Sequence, residues 1–333
     1  MNSEIMAAAP APSASKQIAE LMDVEHPIKQ APLGHALVAL AKINPKVVGL
    51  SADLAKYTDL HIFAEAFPDR FFEMGMSEQL MMTAAGGLAK EGFIPFASTY
   101  GTFAARRGAD FINQAVGEQH ANVKIIGGLP GLTSGYGPSH QATDDLAIMR
   151  AEPNMVIIDP CDAVDVEQMV PAVAAYDGPV YMRILRGRVP CVLDEYDYHF
   201  EMGKAKLLVG GSDVIVMSTG LMTMRALDAA KILAKDHISV AVLHIPTVKP
   251  LDVVTIVQEA RRKGRLVVIA ENHTVIGGLG EAIAAVLMRA GVMPEFRQIA
   301  LPDEFLAPGS LPMLHDRYGL STKAVVNQIR RWL

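Results

Sequence analysis

Cysteine is scarce in this 333-residue chain: only Cys161 and Cys191 occur, far apart in sequence. Neither has a nearby Cys or His at metal-ligand spacing, which argues against a disulfide framework or a zinc site and implies reduced, buried thiols. Long apolar runs are missing too. Runs such as Val214 to Met217 and Leu266 to Ala270 fall far short of the roughly 20 residues a membrane helix needs. The start, Met1 to Lys16, is Ala/Pro/Ser-rich and lacks both a basic n-region and an apolar h-region, so it does not read as a secretory signal. A cytoplasmic protein is expected. No single sign of charge dominates. The formal net charge of −6 comes from acidic and basic residues mixed along the chain, which gives no field to draw nucleic acid or an anionic membrane and leaves small soluble ligands as the expected partners.

Hydrophobic residues make up 50% of the chain, enough for two packed domains, each with a core of its own. Residues 1–30 are expected to form a flexible arm. From residue 31, β-branched runs alternate with segments of helical period, the pattern of parallel α/β architecture. Expected strands of the first domain, residues 31–185, are Val47 to Leu50, Phe71 to Met74, Ile94 to Ser98, Val123 to Gly127, Met155 to Ile158 and Val180 to Leu185. Helices are expected at His35 to Ile43, stopped by Asn44-Pro45, and at Ser77 to Lys90. Residues 186–205 break the alternation and read as a surface linker. The second domain, 206–333, carries expected strands at Asp213 to Ser218, Ser239 to Leu243, Leu266 to Ala270 and Phe296 to Ala300. Its helices are expected at Met222 to Lys235, Leu251 to Lys263, Gly280 to Arg289 and Ser321 to Trp332.

Two local patterns suggest a site. Ser77 stands as an N-cap and Glu78 in a first helical turn, where a carboxylate serves either catalysis or only the helix dipole. Tyr100, Phe103 and Arg106 lie three apart. If helical turns begin after Tyr100, they share a face near the carboxyl edge of a sheet, where open α/β folds bind ligands. Such a trio can sandwich a planar ring or simply pack. Gly277-Gly278-Leu279-Gly280 is not a dinucleotide fingerprint, because no G-x-G-x-x-G can be read there.

The run FFEMGMSEQLMMTAAGGLA from Phe71 to Ala89, followed by PFASTYGTFAARRGADFI and GLTSGYGPSHQATDDLAIMRAEPNMVIIDP, resembles the pyrimidine-binding domain of transketolases and of the related deoxyxylulose phosphate synthases. VIAENHTVIGGLGEAIA is similar to their C-terminal domain. The resemblance spans roughly residues 31–333 and implies two α/β domains of the thiamine diphosphate-dependent transketolase type. It sets Glu78 at the position of the glutamate that hydrogen-bonds N1′ of the thiamine aminopyrimidine. A carboxyl group there favours the imino tautomer whose nitrogen takes the C2 proton. Tyr100 and Phe103 match the aromatics around the pyrimidine, and Arg106 follows the synthase pattern. The resemblance makes His140 a substrate-pocket histidine. It makes Arg186 a sugar-phosphate ligand suited by its guanidinium fork, with Arg188 a rival. Asp53 becomes an interface residue near the cofactor, or a turn residue. His273 is read as structural.

Three positions depart from the transketolase pattern: Tyr136 stands where an Asp is usual, Gly128 where a His is usual, and no arginine occurs around Pro32 to His35. A modified or unusual sugar is therefore admitted. The family's Gly-Asp-Gly metal motif and its diphosphate-binding domain have no counterpart in this sequence, so the resemblance implies a separate N-terminal transketolase subunit that holds the diphosphate and Mg²⁺, in an α2β2 assembly. The expected reaction moves a two-carbon ketol unit between a ketose phosphate and an aldose. Two other readings stay open: the β subunit of a 2-oxo acid dehydrogenase, and a non-catalytic relative of the same fold.

Overall fold

The computed structural model describes Leu21 and residues 24–333, so most of the expected arm lies outside the described residues. The end of that segment is not loose. β1 (Ile28–Gln30) pairs antiparallel with β8 (Arg188–Pro190), and the Nε2 of His26 lies 3.1 Å from Asp228 Oδ2.

The first sheet has β2 (Val47–Ser51), β3 (Phe71–Glu73), β4 (Ile94–Tyr100), β5 (Lys124–Gly128), β6 (Val156–Ile158) and β7 (Val180–Ile184). They lie parallel in the order β6-β7-β5-β4-β2-β3. Every residue of β2, β4, β5 and β7 is buried, as strands covered by helices on both faces require, and their mainly apolar content follows from that, with Lys124 and Arg183 as buried exceptions. The second sheet joins β9 (Lys206–Val209), β10 (Val214–Ser218), β11 (Val240–His244), β13 (Leu266–Thr274) and β14 (Phe296–Leu301) in the order β14-β13-β10-β11-β9, with β9 antiparallel. One short strand crosses over: β12 (Thr247–Lys249) pairs antiparallel with β6 and becomes the seventh strand of the first sheet.

Several expectations need correction. The first helix begins at Pro32, not His35, because proline's fixed φ suits the first helical position. β4 runs on to Tyr100 and β13 to Thr274, beyond where propensity alone would end them. The four short strands β1, β8, β9 and β12 escaped the periodicity, being three or four residues long. The 186–205 segment is not a surface linker throughout. Val189, Cys191, Val192 and Leu193 are buried, held inward because the backbone N–H groups of Val192 and Leu193 donate to Asp162 Oδ2 at 2.6 and 2.8 Å.

Nor does each half keep a wholly separate core. One apolar cluster combines Val48, Leu50 and Ile125 of the first sheet with Ile215, Leu243 and Ile269 of the second. Beside it, Arg183 is buried and fully engaged. It donates to Asp145 Oδ1 at 2.6 Å, to Asp159 Oδ2 at 3.2 Å and to the Asn272 carbonyl at 3.2 Å. Both cysteines are free and buried, as expected. Burial pushes the Cys191 thiol up to about 11, so it is held as a neutral thiol.

Candidate active site

The strand order reverses beside β2. From β2 the chain passes to β3 on one side and then to β4 on the other, which opens a crevice at the carboxyl ends of the strands. Residues that follow those ends meet here. A turn at Gly75, with φ of 68°, carries β3 into the helix Glu78–Lys90. Ser77 holds the N-cap position, but its side chain makes no capping bond. Glu78 opens the helix and is only 2% exposed. Its Oε1 accepts a hydrogen bond from Nη1 of Arg107 at 3.0 Å.

β4 delivers Tyr100 to the same edge. Its backbone is extended (φ −67°, ψ 145°), and the helix Gly101–Arg107 starts after it. Tyr100 and Phe103 rings lie 5.6 Å apart, and the His140 ring meets Phe103 edge-on at 5.4 Å and Tyr100 at 6.2 Å. Tyr136 covers the imidazole from another side at 5.4 Å, and Ser139 Oγ stands 2.9 Å from its Nδ1. Glu78, Tyr100, Phe103 and His140 thus form one contiguous group through Arg107.

Arg106 is turned away. It pairs with Asp144 and is more than half exposed, whereas Arg107 stacks its guanidinium 4.0 Å from the Phe103 ring centre. Counting threes from Tyr100 misled, because Tyr100 is not helical. The i to i+4 spacing from Phe103 to Arg107 is the helical neighbour relation that would have found it. Asp53 lies exposed on a left-handed turn (φ 59°) with its N–H donating to Glu73 Oε1 at 2.7 Å, so it shapes the loop after β2.

Arg186 follows β7 and is 8% exposed. Its Nε and Nη2 are buried without a hydrogen-bond partner among the described residues, and its guanidinium carbon sits 5.8 Å from the Tyr57 ring centre. A buried guanidinium left with open donors is costly unless an anion completes it. Arg188, its rival, is exposed on β8. Beside Arg186, Asp59 accepts from the Gly187 N–H at 2.8 Å, and burial pushes its carboxyl above the usual range against the pull of that bond and of Arg186. Tyr57 was not foreseen, since the three-residue turn Ala55–Tyr57 has no period to reveal it.

One departure has a steric side: a Cβ at Gly128 would come within 2.9 Å of the Thr58 methyl group, so a side chain there requires Thr58 to shift. The Gly277–Gly280 junction is closed to ligands. The N–H groups of Leu279 and Gly280 donate to Glu271 at 2.6 and 2.8 Å. His273 is fully buried, and burial together with Arg183 lowers its imidazole to about 4, keeping it neutral and structural.

Fold and crevice together define an α/β protein with two main sheets whose candidate site gathers a buried carboxylate, stacked rings and an open guanidinium at the strand reversal. Residues 30–191 match the family model of the transketolase pyrimidine-binding domain and residues 203–325 that of the transketolase C-terminal domain. An uncharacterised transketolase family protein of Sinorhizobium fredii is 61% identical over 320 residues, covering 96% of this chain and 93% of that one. A 6-deoxy-6-sulfo-D-fructose transketolase subunit of a Clostridium species is 37% identical, covering 87% and 89%. Among solved structures, a split-gene transketolase in the form of an inactive β4 tetramer superposes with a TM-score of 0.82 at 41% identity, over 90% of this chain and 96% of that chain. The chain belongs to the transketolase family, whose members in general depend on thiamine diphosphate.

Proposed function

We propose that this chain is the subunit of a split transketolase that supplies the aminopyrimidine side of a thiamine diphosphate site, and that the assembled enzyme moves a two-carbon ketol unit from a ketose phosphate to an aldose. The observation that carries this reading is the buried Glu78 carboxylate facing a flat group stacked on Phe103. The guanidinium of Arg107 lies there now, 4.0 Å from the ring centre and 3.0 Å from Glu78. A flat heteroaromatic ring with a nitrogen toward Glu78 makes the same two contacts, so the residues present fit the pyrimidine.

When bound, thiamine diphosphate would serve as the electron sink for the two-carbon unit. Glu78 would share a proton with N1′ of the pyrimidine through Oε1. Tyr100 and Phe103 would fix the plane of that ring and exclude water. Ser139 engages Nδ1 of His140, which leaves Nε2 to bind or protonate a substrate oxygen. Arg186 would close on the anionic end of the sugar with its open donors. In this reading a second polypeptide holds the diphosphate and Mg²⁺, in an α2β2 assembly. Support comes from the side chains around Glu78. Met76 is 78% and Leu80 54% exposed, an apolar rim suited to a covering chain. The β4 form of the similar split-gene protein is inactive, in keeping with a chain that is incomplete alone.

The test is reconstitution. Co-expression with a diphosphate-binding chain should give ketol transfer, and Glu78→Ala in that assembly should abolish C2 proton exchange of the bound coenzyme, followed by NMR. Retained exchange would remove Glu78 from the reaction, and acyl transfer to a lipoyl domain would assign the chain instead to a 2-oxo acid dehydrogenase.

A further inference from the structure

Arg107 makes both contacts that the pyrimidine reading assigns to the coenzyme. Its planar guanidinium covers the Phe103 face at 4.0 Å. Its Nη1 donates to Glu78, which is shielded from solvent on its other sides. A carboxylate this buried costs free energy if left unpaired, so some donor must face it whenever the pocket holds no ring. The side chain of Arg107 is nevertheless 48% exposed. It reaches in from solvent at the last turn of the helix Gly101–Arg107 and can leave by rotating its own torsions without disturbing the core. The neighbouring Arg106 shows where such a side chain can go, since it lies outward on Asp144.

We propose that Arg107 is a stand-in for the aminopyrimidine: it occupies the ring slot and satisfies Glu78 in the coenzyme-free chain, and it must swing out for thiamine diphosphate to bind. The inference rests on the thiamine reading of Glu78 given above. It makes Arg107 a competitor whose stacking and ion-pair contacts set a threshold for coenzyme affinity. Loading then transfers Glu78 from a permanent cation to a ring nitrogen with which it can share a proton.

Calorimetric titration of thiamine diphosphate with Mg²⁺ into the reconstituted assembly tests this directly. Stacking of a cation on an aromatic face and a partly exposed ion pair are each modest, so Arg107→Ala should bind coenzyme roughly three- to tenfold more tightly than the parent. Arg107→Lys, which keeps the charge but loses the flat stacking surface, should fall between. Replacing Glu78 with Gln removes the anchor, and in that background Arg107→Ala should change affinity less than in the parent. Equal affinity of the parent and Arg107→Ala removes the stand-in alone. Weaker binding by Arg107→Ala, with the assembly intact by size-exclusion chromatography, also overturns it and makes Arg107 a supporting side chain. Absence of binding in both forms removes the thiamine reading itself, and the stand-in with it.

Discussion

Two buried carboxylates stand beside helix starts in this molecule and meet different fates. Glu271, on β13, accepts hydrogen bonds from the Leu279 and Gly280 N–H groups and from Gln298 Nε2 at 2.6, 2.8 and 2.9 Å. Every partner belongs to the second sheet or its helix. Glu78, at the carboxyl edge of the first sheet, is met by one arginine that is half in solvent. The first arrangement is a finished joint. The second has a partner that can be exchanged. Burial of a charged group at a helix start is therefore no sign of a ligand site by itself, and what separates the two cases is whether the partner is fixed in the fold.

The contrast can be broken from the finished side first. Arg183 joins the two halves through Asp145, Asp159 and Asn272. Against the upward push of burial, its guanidinium holds Asp145 below the usual carboxylate range. Arg183→Leu strands buried carboxylates, so urea denaturation should show a loss of about 3–5 kcal/mol. A loss below about 1 kcal/mol would mean that the joint yields to water.

Glu271 supplies a pH test. Burial, opposed by the bonds from Gly280, Leu279 and Gln298, pushes it up from 4.5 to about 7. The folded state thus holds a proton that the unfolded chain has released, and Glu271 lowers stability progressively as pH rises from about 4.5 to about 7. Glu271→Gln lacks this loss. Its unfolding free energy should gain on the parent across that window by roughly 1–3 kcal/mol. Parallel pH curves for the two proteins would show that Glu271 titrates normally.

The smallest effect belongs to the open side. Glu78→Gln removes one partner of a pair whose other member is half exposed, so unfolding should shift by about 1 kcal/mol or less, even as coenzyme C2 exchange disappears. A stability loss as large as that of Arg183→Leu would place Glu78 among the structural joints and erase the distinction.

Much of this was legible in the residues. The central strands β2, β4, β5 and β7 announce themselves as mainly apolar runs because both faces are covered, and the family resemblance carried by the motifs implied one site for the carboxylate, the aromatic pair and the histidine. What escaped did so for identifiable reasons. β12 is three residues long, and its partner β6 lies about ninety residues earlier, a pairing no local pattern encodes. The inward turn of residues 189–193 depends on Asp162, some thirty residues away. Arg107 was passed over because Tyr100, the N-cap of the helix after β4, was counted into its spacing, although both Arg106 and Arg107 lie one turn from Phe103.

The crossing of β12 carries a consequence for how the gene can be divided. A break anywhere between β7 and β12 would strip the outermost strand from β6 and bare a row of unpaired backbone donors and acceptors. The two larger sheets are stitched by that ribbon as well as by their common core and the Arg183 joint.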